Sequence, residues 1–281
     1  MKRLMLFIFC LMPLIVSAQV TYQRVDSITV TRLLHQAPPH ATTLWLARQF
    51  HDRPYVAHTL EVNDDERLVV NTRQLDCTTL VETVTALTLC VRDGKQNFSD
   101  YVAVLQQLRY RGGVIDGYPS RLHYFSDWIN DKVRMQMVTD VQGPNPPFSA
   151  VQKLNINYMS RHPEAYKALK AHPAFVPVIQ KQEQALTGKT YRYIPKSALS
   201  NTELLRQTVK NGDIIAITCN KPGLDIAHLG FAVWQRDGLH LLNASMLHKK
   251  VVTESMTLYE YMQKHPSFTG IRVVRIKDKK I

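Results

Sequence analysis

The sequence has few cysteines, and none of its cysteines or histidines recurs at a spacing that binds metal. Four cysteines occur in 281 residues, and no two of them form a Cys-x-x-Cys pair. The eleven histidines include no His-x-x-x-His pair. Because structural and catalytic metal sites draw on such pairs, we predict neither a metal site nor another cofactor.

Long apolar runs are also missing, except for a short one at the start. Residues 4–16 are apolar, follow Met1-Lys2-Arg3 and precede Ser17-Ala18-Gln19, which is the arrangement of a signal peptide. The run is shorter than the roughly 20 residues that a transmembrane helix needs. We therefore predict a signal peptide over residues 1–18 and an exported, periplasmic protein with no integral membrane segment after cleavage.

Aspartate and glutamate are fewer than lysine and arginine, so the formal net charge is +12 at pH 7. Cleavage after Ala18 would remove Lys2 and Arg3 and leave a charge of +10. No block of five basic residues, zinc-finger spacing or aromatic ribonucleoprotein motif accompanies this charge, so we do not expect nucleic acid as a partner. An anionic cell envelope is the counterpart that the charge favours, and a generally basic, solubilising surface explains it equally well.

Three cysteines remain after the predicted cleavage: Cys77, Cys90 and Cys219. An odd number in an oxidising compartment leaves at least one free thiol. The sequence is compatible with a disulfide between Cys90 and Cys219 and equally with two buried free thiols.

Glycine- or serine-rich linkers and internal repeats are absent, which predicts one domain over residues 19–281. Apolar residues recur with a helical period over 27–34, 43–50, 77–93, 98–110 and, interrupted by prolines, 160–187. A short strand is predicted over 68–71, and from Asn211 onward a period of two predicts strands over 213–218, 228–234, 239–245 and 270–276. Helices followed by a meander of strands indicate an α+β fold with an antiparallel sheet, a helical N-terminal extension and a helical insertion.

Cys77 stands at the start of the predicted helix that ends near Gly94. Asp76 is a plausible N-cap, and the apolar residues that follow place Cys77 on an inward-facing stripe. The positive end of the helix dipole is expected to lower the pKa of such a thiol and make it a nucleophile. For a lone cysteine the alternative, a small buried apolar side chain, is the more common role.

The strand over 228–234 and its hairpin partner over 239–245 place His228 and Asn243 on one face of the sheet. If residues 235–238 form a four-residue loop, Gly230 opposes Asn243, and His228 is then its diagonal neighbour at roughly 7 to 8 Å. The dipeptide Asp237-Gly238 also signals a two-residue turn, which would move Asn243 farther from His228.

A helix-terminal thiol, a facing imidazole and an amide that orients the imidazole form the Cys-His-Asn arrangement of papain-like acyl transfer. Cys77, His228 and Asn243 supply these three groups, and the backbone N–H of Cys77 is a candidate donor to the oxyanion. The spacing alone does not exclude other bases, namely His35, His58, His123 and His240.

The motifs resemble the NlpC-type superfamily of papain-like cell-wall hydrolases. They are Asp76-Cys77-Thr78, Gly212-Asp213-Ile214-Ile215, His228-Leu229-Gly230-Phe231 and Asn243-Ala244-Ser245. Asn243 stands where the superfamily often has histidine, and it carries no charge to stabilise the imidazolium.

Three further stretches narrow the resemblance to a bacterial family formerly labelled only as a domain of unknown function. They are residues 55–61, 75–82 and 121–129. The studied members of that family are N-acetylmuramoyl-L-alanine amidases acting on anhydro-muropeptides. The resemblance implies that Cys77 is the nucleophile, His228 the base and Asn243 the orienting residue, and that the bond between muramic acid and L-alanine is cleaved.

A second group of residues is predicted to bind substrate around this triad. Polar and aromatic side chains crowd into residues 121–128, which suits a wall that stacks on sugar or binds carboxylate, and equally suits a helix entry with an aromatic core. The predicted substrate-binding residues are Tyr55, Asp76, Thr78, Arg121, His123, Tyr124 and Trp128.

Together these features predict a monomeric cysteine amidase whose partners are peptidoglycan fragments. Two alternatives remain open: a γ-D-glutamyl-diaminopimelate endopeptidase with the same triad, and a muropeptide-binding protein without activity. The identity of the amine released from a muropeptide distinguishes the endopeptidase from the predicted amidase. The reactivity of the Cys77 thiol distinguishes the binding protein from an enzyme.

Overall fold

The computed structural model describes residues 20–38 and 41–277 of the chain. The predicted signal peptide lies outside the described residues. The helices of the described part are α1 (Arg24–Gln36), α2 (Thr43–Arg48), α3 (Cys77–Arg92), α4 (Phe98–Arg109), α5 (Phe125–Arg134), α6 (Tyr158–Arg161), α7 (Lys167–Ala171), α8 (Val176–Leu186), α9 (Glu203–Thr208) and α10 (Leu258–Gln263). The strands are β1 (Val138–Val141), β2 (Ala150–Lys153), β3 (Thr190–Pro195), β4 (Ile214–Cys219), β5 (Ile226–Trp234), β6 (Leu239–Ser245), β7 (Lys250–Thr253) and β8 (Phe268–Ile276).

The strands form one antiparallel sheet in the order β2-β3-β8-β4-β5-β6-β7, and β1 pairs with β8 in addition. Strands β4 to β7 are consecutive neighbours, so this half of the sheet is a meander. The predicted α+β fold with an antiparallel sheet is therefore confirmed. Four strands were not predicted: β1, β2, β3 and β7.

Helix α3 is the central helix of the core. Every residue from Thr79 to Thr88 is buried, because α1, α2 and α4 surround it on one side and β5 and β6 on the other. The buried carboxylate of Glu82 accepts a hydrogen bond from Nε of Arg109 at 2.7 Å. A helix enclosed in this way keeps a fixed position, so its first turn holds Cys77 at a defined place against the sheet.

The prolines of residues 158–186 divide the predicted helical segment into three short helices, α6, α7 and α8, separated by 3-10 turns. Proline restricts the residue before it to extended backbone, and His162 and His172 accordingly leave the helical region before Pro163 and Pro173. The segment packs on Tyr118 and Tyr124 in a cluster of its own. The helical pattern predicted over residues 160–187 is therefore confirmed, and the description of this segment as an insertion stays a prediction.

The remaining predictions on the fold have mixed outcomes. Residues 68–71 form no strand, and Val69 makes only an isolated bridge with Thr21. Cys90 and Cys219 are both buried and free, so the alternative of two buried thiols holds and the alternative of a disulfide between them is wrong. Within residues 20–38 and 41–277, no helix has both the length and the apolar character needed to cross a membrane.

Candidate functional site

Cys77 is the first residue of α3, and the structure holds this end of the helix in two ways. Oδ1 of Asp76 accepts a hydrogen bond from the Thr79 N–H at 2.8 Å, and the Thr79 hydroxyl accepts one from the Asp76 N–H at 2.9 Å. This reciprocal capping box confirms Asp76 as the N-cap. The preceding residue, Leu75, is bonded through its N–H and its carbonyl to the segment around Tyr55.

His228 and Asn243 meet through the predicted hairpin register. Trp234 pairs with Leu239, and the ladder continues inward to Phe231 with Leu242, so residues 235–238 form the four-residue loop. The alternative of a two-residue turn at Asp237-Gly238 is wrong. Nε2 of His228 lies 2.9 Å from Oδ1 of Asn243. Because an amide oxygen only accepts, Nε2 must carry the proton, and Nδ1 is left as the basic nitrogen.

Strand β5 brings His228 to the thiol. The Cys77 sulfur receives a hydrogen bond from the main chain of Leu229, the residue next to His228. Cys77 and His228 line the same cavity. The close packing of β5 on β6 requires glycine at residue 230, because a Cβ there would lie 2.6 Å from the carbonyl oxygen of Leu242.

The electrostatics of the thiol differ from the prediction. Burial, with a further contribution from the Asp76 carboxylate, raises the pKa of Cys77 to about 12. Hydrogen bonds from Leu229 and Thr78 lower the pKa, but by less. The expectation of a lowered thiol pKa is therefore wrong: withdrawal from water outweighs the helix N-terminus. Burial also lowers the pKa of His228, so the resting pair is a neutral thiol and a neutral imidazole.

The cavity around Cys77 and His228 has a volume of about 200 Å³. Three predicted substrate-binding residues line it: Thr78, His123 and Tyr124. The other lining residues are Phe125, Met159, Tyr166, Leu224, Asp225, Ile226, Ala227 and Leu229. Nε2 of His123 is 3.0 Å from the carbonyl oxygen of Tyr118 and therefore donates. Burial lowers the pKa of His123 to about 3, so this imidazole is neutral and its Nδ1 accepts.

Four predicted substrate-binding residues lie outside the lining of this cavity. Asp76 contributes the cap and a charge that acts on Cys77 and His228. Tyr55 is half-buried, and burial, with smaller contributions from Cys77 and Asp76, raises the pKa of its phenol, which places it near the thiol. Trp128 is 0 % exposed and stacks on Phe125 within the core. A fully buried indole cannot contact substrate, so the prediction for Trp128 is wrong.

Arg121 belongs to a neighbouring cavity of about 510 Å³. Its guanidinium donates to both oxygens of Glu66, at 3.0 and 2.6 Å, and its charge is neutralised there. Arg121 is therefore not part of the thiol cavity, and its predicted contact with substrate stays a prediction. The two cavities adjoin, because Tyr118 lines the larger one and its ring centroid is 4.4 Å from that of His123.

The other candidate bases are occupied elsewhere or exposed. His240 is bonded through Nδ1 to the main-chain oxygen of Glu254 and through Nε2 to Asp237, both at 2.9 Å. His58 pairs with Glu61 on the surface, and His35 is exposed on α1. Of the histidines that could have served, only His123 shares the cavity with Cys77 and His228.

One residue behind the triad was missed by sequence reasoning. Glu254 follows β7, is 3 % exposed and accepts a hydrogen bond at Oε1 from Nδ2 of Asn243 at 2.9 Å. Its Oε2 lies 3.2 Å from Nε2 of His248. No motif marked this glutamate, because it reaches Asn243 only through the β6–β7 pairing.

Metal ligation has no support within residues 20–38 and 41–277. In that part of the chain no three His, Cys, Asp or Glu side chains converge as they would to hold a metal ion. The triad, the cavity and the buried carboxylate of Glu254 are the chemical groups that the site brings together.

Comparison with solved structures finds close relatives. An N-acetylmuramoyl-L-alanine amidase from Bacteroides uniformis ATCC 8492 is 46% identical, with a TM-score of 0.78, over 84% of this chain and 97% of that one. A Bacteroides fragilis protein that carries a provisional xylanase name is also 46% identical, with a TM-score of 0.77, over 82% and 99%. A Legionella pneumophila protein shares the fold at 20% identity and a TM-score of 0.69, over 92% of this chain and 96% of that one.

No curated protein matches the chain significantly. A family model does match it, over residues 45–271, which include the thiol, the imidazole and the amide of the site. On that match and the relatives at 46% identity, the chain belongs to the AmiA-like family of N-acetylmuramoyl-L-alanine amidase-like enzymes.

Proposed function

We propose that the protein is a cysteine-dependent N-acetylmuramoyl-L-alanine amidase. The observation that carries the proposal is the arrangement of Cys77, His228 and Asn243, with the thiol and the imidazole lining one cavity and Asn243 2.9 Å from the imidazole. This is the constellation of papain-like acyl transfer, and we extend the proposal to a papain-like, NlpC-type fold.

The first half-reaction begins from the neutral pair. Nδ1 of His228 removes the thiol proton as the Cys77 sulfur attacks the lactyl carbonyl of the muramic acid. A general base is required, because a thiol with a pKa of about 12 is not ionised at neutral pH. The imidazolium then returns the proton to the nitrogen of L-alanine, the C–N bond breaks, and a thioester remains on Cys77.

The second half-reaction hydrolyses the thioester. His228 deprotonates a water molecule, the hydroxide attacks the thioester carbonyl, and the sulfur leaves and recovers a proton from His228. The main-chain N–H of Cys77 is the proposed donor to the oxyanion in both halves. Tyr55 is a second proposed donor, since burial and its charged neighbours raise the pKa of the phenol and keep it protonated.

The substrate is proposed from the family and from the shape of the site. The relative from Bacteroides uniformis is named for the bond between N-acetylmuramic acid and L-alanine. A cavity of about 200 Å³ accommodates the scissile amide and its neighbours, and the adjoining cavity of about 510 Å³ offers room for the rest of a sugar-peptide. In the smaller cavity, Nδ1 of His123 is a proposed acceptor for a substrate N–H.

The xylanase name of one relative implies a different chemistry. A glycosidase needs two carboxyl groups about 5 to 10 Å apart at the reacting bond. Among the described residues that line the thiol cavity, Asp225 is the one carboxylate, and it accepts a hydrogen bond from the Ser126 N–H at 2.6 Å. The thiol cavity therefore favours the amidase reading over hydrolysis of a glycosidic bond.

The proposal also covers the location of the protein and its domain organisation. Action outside the cytoplasmic membrane is proposed from the predicted signal peptide over residues 1–18. Residues 19–281 are proposed as one catalytic domain, in which the insertion over 158–186 contributes Met159 and Tyr166 to the cavity.

The test is mass spectrometry of a defined disaccharide-tetrapeptide, in anhydro and reducing forms, incubated with the protein or its Cys77→Ala variant. Release of an intact tetrapeptide by the parent protein alone is the expected result, and the two rates give the sugar preference. Release of a dipeptide would establish the γ-D-glutamyl-diaminopimelate endopeptidase instead. No product from either form would overturn the catalytic proposal in favour of muropeptide binding.

A further inference from the structure

Glu254 is a buried carboxylate held rigidly behind the triad. Its main-chain N–H donates to the carbonyl of Leu241 at 2.9 Å, and its carbonyl accepts from Nδ1 of His240 at 2.9 Å. Both bonds tie the residue to β6, the strand that carries Asn243. Glu254 is 3 % exposed, so its carboxylate is enclosed beside that strand.

The hydrogen bonds from Glu254 towards His228 have a fixed direction. A carboxylate only accepts, so the group that Asn243 turns towards Glu254 must be its NH₂, at 2.9 Å. The amide oxygen is then presented to His228, and it also only accepts, so Nε2 of His228 carries the proton. The proton-free Nδ1 is left for the thiol. Without Glu254, an amide turned by 180° would present its NH₂ to Nε2 and favour the opposite tautomer.

The negative charge of Glu254 is a second reason to assign it a role at His228. Asn243 is neutral and cannot stabilise the imidazolium that forms during acyl transfer. The nearby Glu254 carboxylate raises the pKa of His228 against the larger effect of burial, which lowers it. The other charged or titratable groups that act on this imidazole are Asp76 at the start of α3, which also raises the pKa, and His265, which lowers it.

We propose that Glu254 is a positioning residue of the triad: it holds the Asn243 amide in the orientation that leaves Nδ1 of His228 as the base, and it supplies the negative charge that Asn243 lacks. The inference rests on the proposed cysteine chemistry and assigns the site a fourth member, so the order of contacts is Cys77, His228, Asn243 and Glu254. His248, half-exposed and 3.2 Å from the outer oxygen, borders the carboxylate on the solvent side.

Two substitutions separate the roles of orientation and charge. Glu254→Gln keeps an oxygen that accepts from Asn243 and removes the charge, so we expect a fall in kcat of about 10-fold with an unchanged KM. Glu254→Ala removes both the accepting oxygen and the charge, and we expect kcat to fall by about 100-fold. This loss is smaller than the roughly 10⁴-fold that a wrong tautomer costs in a serine triad, because the Asn243 amide can still adopt the correct orientation part of the time. The acidic limb of kcat/KM moves to lower pH in Glu254→Gln.

A double-mutant cycle distinguishes positioning from a merely structural role. Because only the orienting role acts through Asn243, Glu254→Ala should lower kcat by about 10-fold in an Asn243→Ala background, against about 100-fold in the parent protein. An equal loss in both backgrounds would overturn the proposal. Asp213→Asn is the matched control, since Asp213 is also a 3 % exposed carboxylate on this sheet but pairs with Arg275 away from the cavity. It is expected to change unfolding temperature without moving the pH profile.

A readout without substrate keeps this inference separate from the proposed function. The titration of His228 is followed by NMR, with its signals assigned by comparison with His228→Gln. Glu254→Gln is expected to lower the pKa of His228, and Asp213→Asn to leave it unchanged. An unchanged His228 pKa in Glu254→Gln would overturn the proposal for Glu254, whereas failure of the parent protein to release tetrapeptide would overturn the amidase proposal alone.

Discussion

The Asp76 carboxylate places the Cys77 sulfur and also opposes its ionisation. Through its bond to the Thr79 N–H at 2.8 Å it caps α3 and holds Cys77 in the first helical turn. The same negative charge raises the pKa of the thiol beside it. The structure therefore combines a precise position for the Cys77 sulfur with a resting state in which the sulfur keeps its proton, so the proposed mechanism requires His228 as a base.

Asp76→Asn is expected to separate these two effects. Asparagine caps helices as well as aspartate does, so the helix start should persist, while removal of the charge should lower the pKa of Cys77. We expect faster alkylation of Cys77 by iodoacetamide at pH 8, measured by intact mass against a Cys77→Ala background. Asp76→Ala is the control that loses the cap, at about 1 kcal/mol of stability. An alkylation rate equal to that of the parent would contradict the proposed charge effect.

The neutral buried histidines predict a pH-dependent stability. The pKa of His123 is about 3 in the folded protein, against 6.5 for an ordinary histidine, so below pH 6.5 the unfolded chain binds a proton that the folded one does not. The free energy of unfolding should therefore be independent of this group above pH 6.5 and fall as pH drops towards 3. The slope from His123 is at most about 1.4 kcal/mol per pH unit.

Chemical denaturation of the parent protein and of His123→Gln between pH 4 and 7 measures this slope. The variant should show the shallower dependence, because glutamine does not titrate. His228 contributes in the same direction, since its pKa is also lowered by burial, so a residual slope should persist in the variant. Identical slopes for the two proteins would contradict the assignment of His123 as a neutral group in the folded state.

Gly230→Ala is expected to disturb the site through the sheet. The added methyl group would lie 2.6 Å from the Leu242 oxygen and 2.7 Å from a Leu241 methyl group, and backbone cannot yield cheaply. We expect a loss of about 1 to 3 kcal/mol in stability and a fall in kcat, because β5 carries His228 and β6 carries Asn243. Gly143→Ala, which meets no atom within 4 Å, is the control and should have neither effect. A Gly230→Ala protein as stable and as active as the control would contradict the close packing.

Local rules of the chain predicted much of this site. The N-cap at Asp76, the helix that follows, and the strands that carry His228 and Asn243 all follow from residue type and periodicity within short windows. The four-residue loop then set the register that brings the imidazole to the amide. The strands β1, β2 and β7 are four residues long and were missed, because so short a stretch shows no clear period.

What the tertiary structure decided is the environment of each group. The sequence by itself determined that a thiol, an imidazole and an amide occupy suitable elements. Only the packing of the sheet on α3 decided that burial raises the pKa of Cys77 and that Trp128 is enclosed in the core. Only the β6–β7 pairing brought Glu254 to Asn243. The physical reason is that solvation and charge act through space between residues far apart in the chain, whereas helix caps and strand periods depend on neighbours within it.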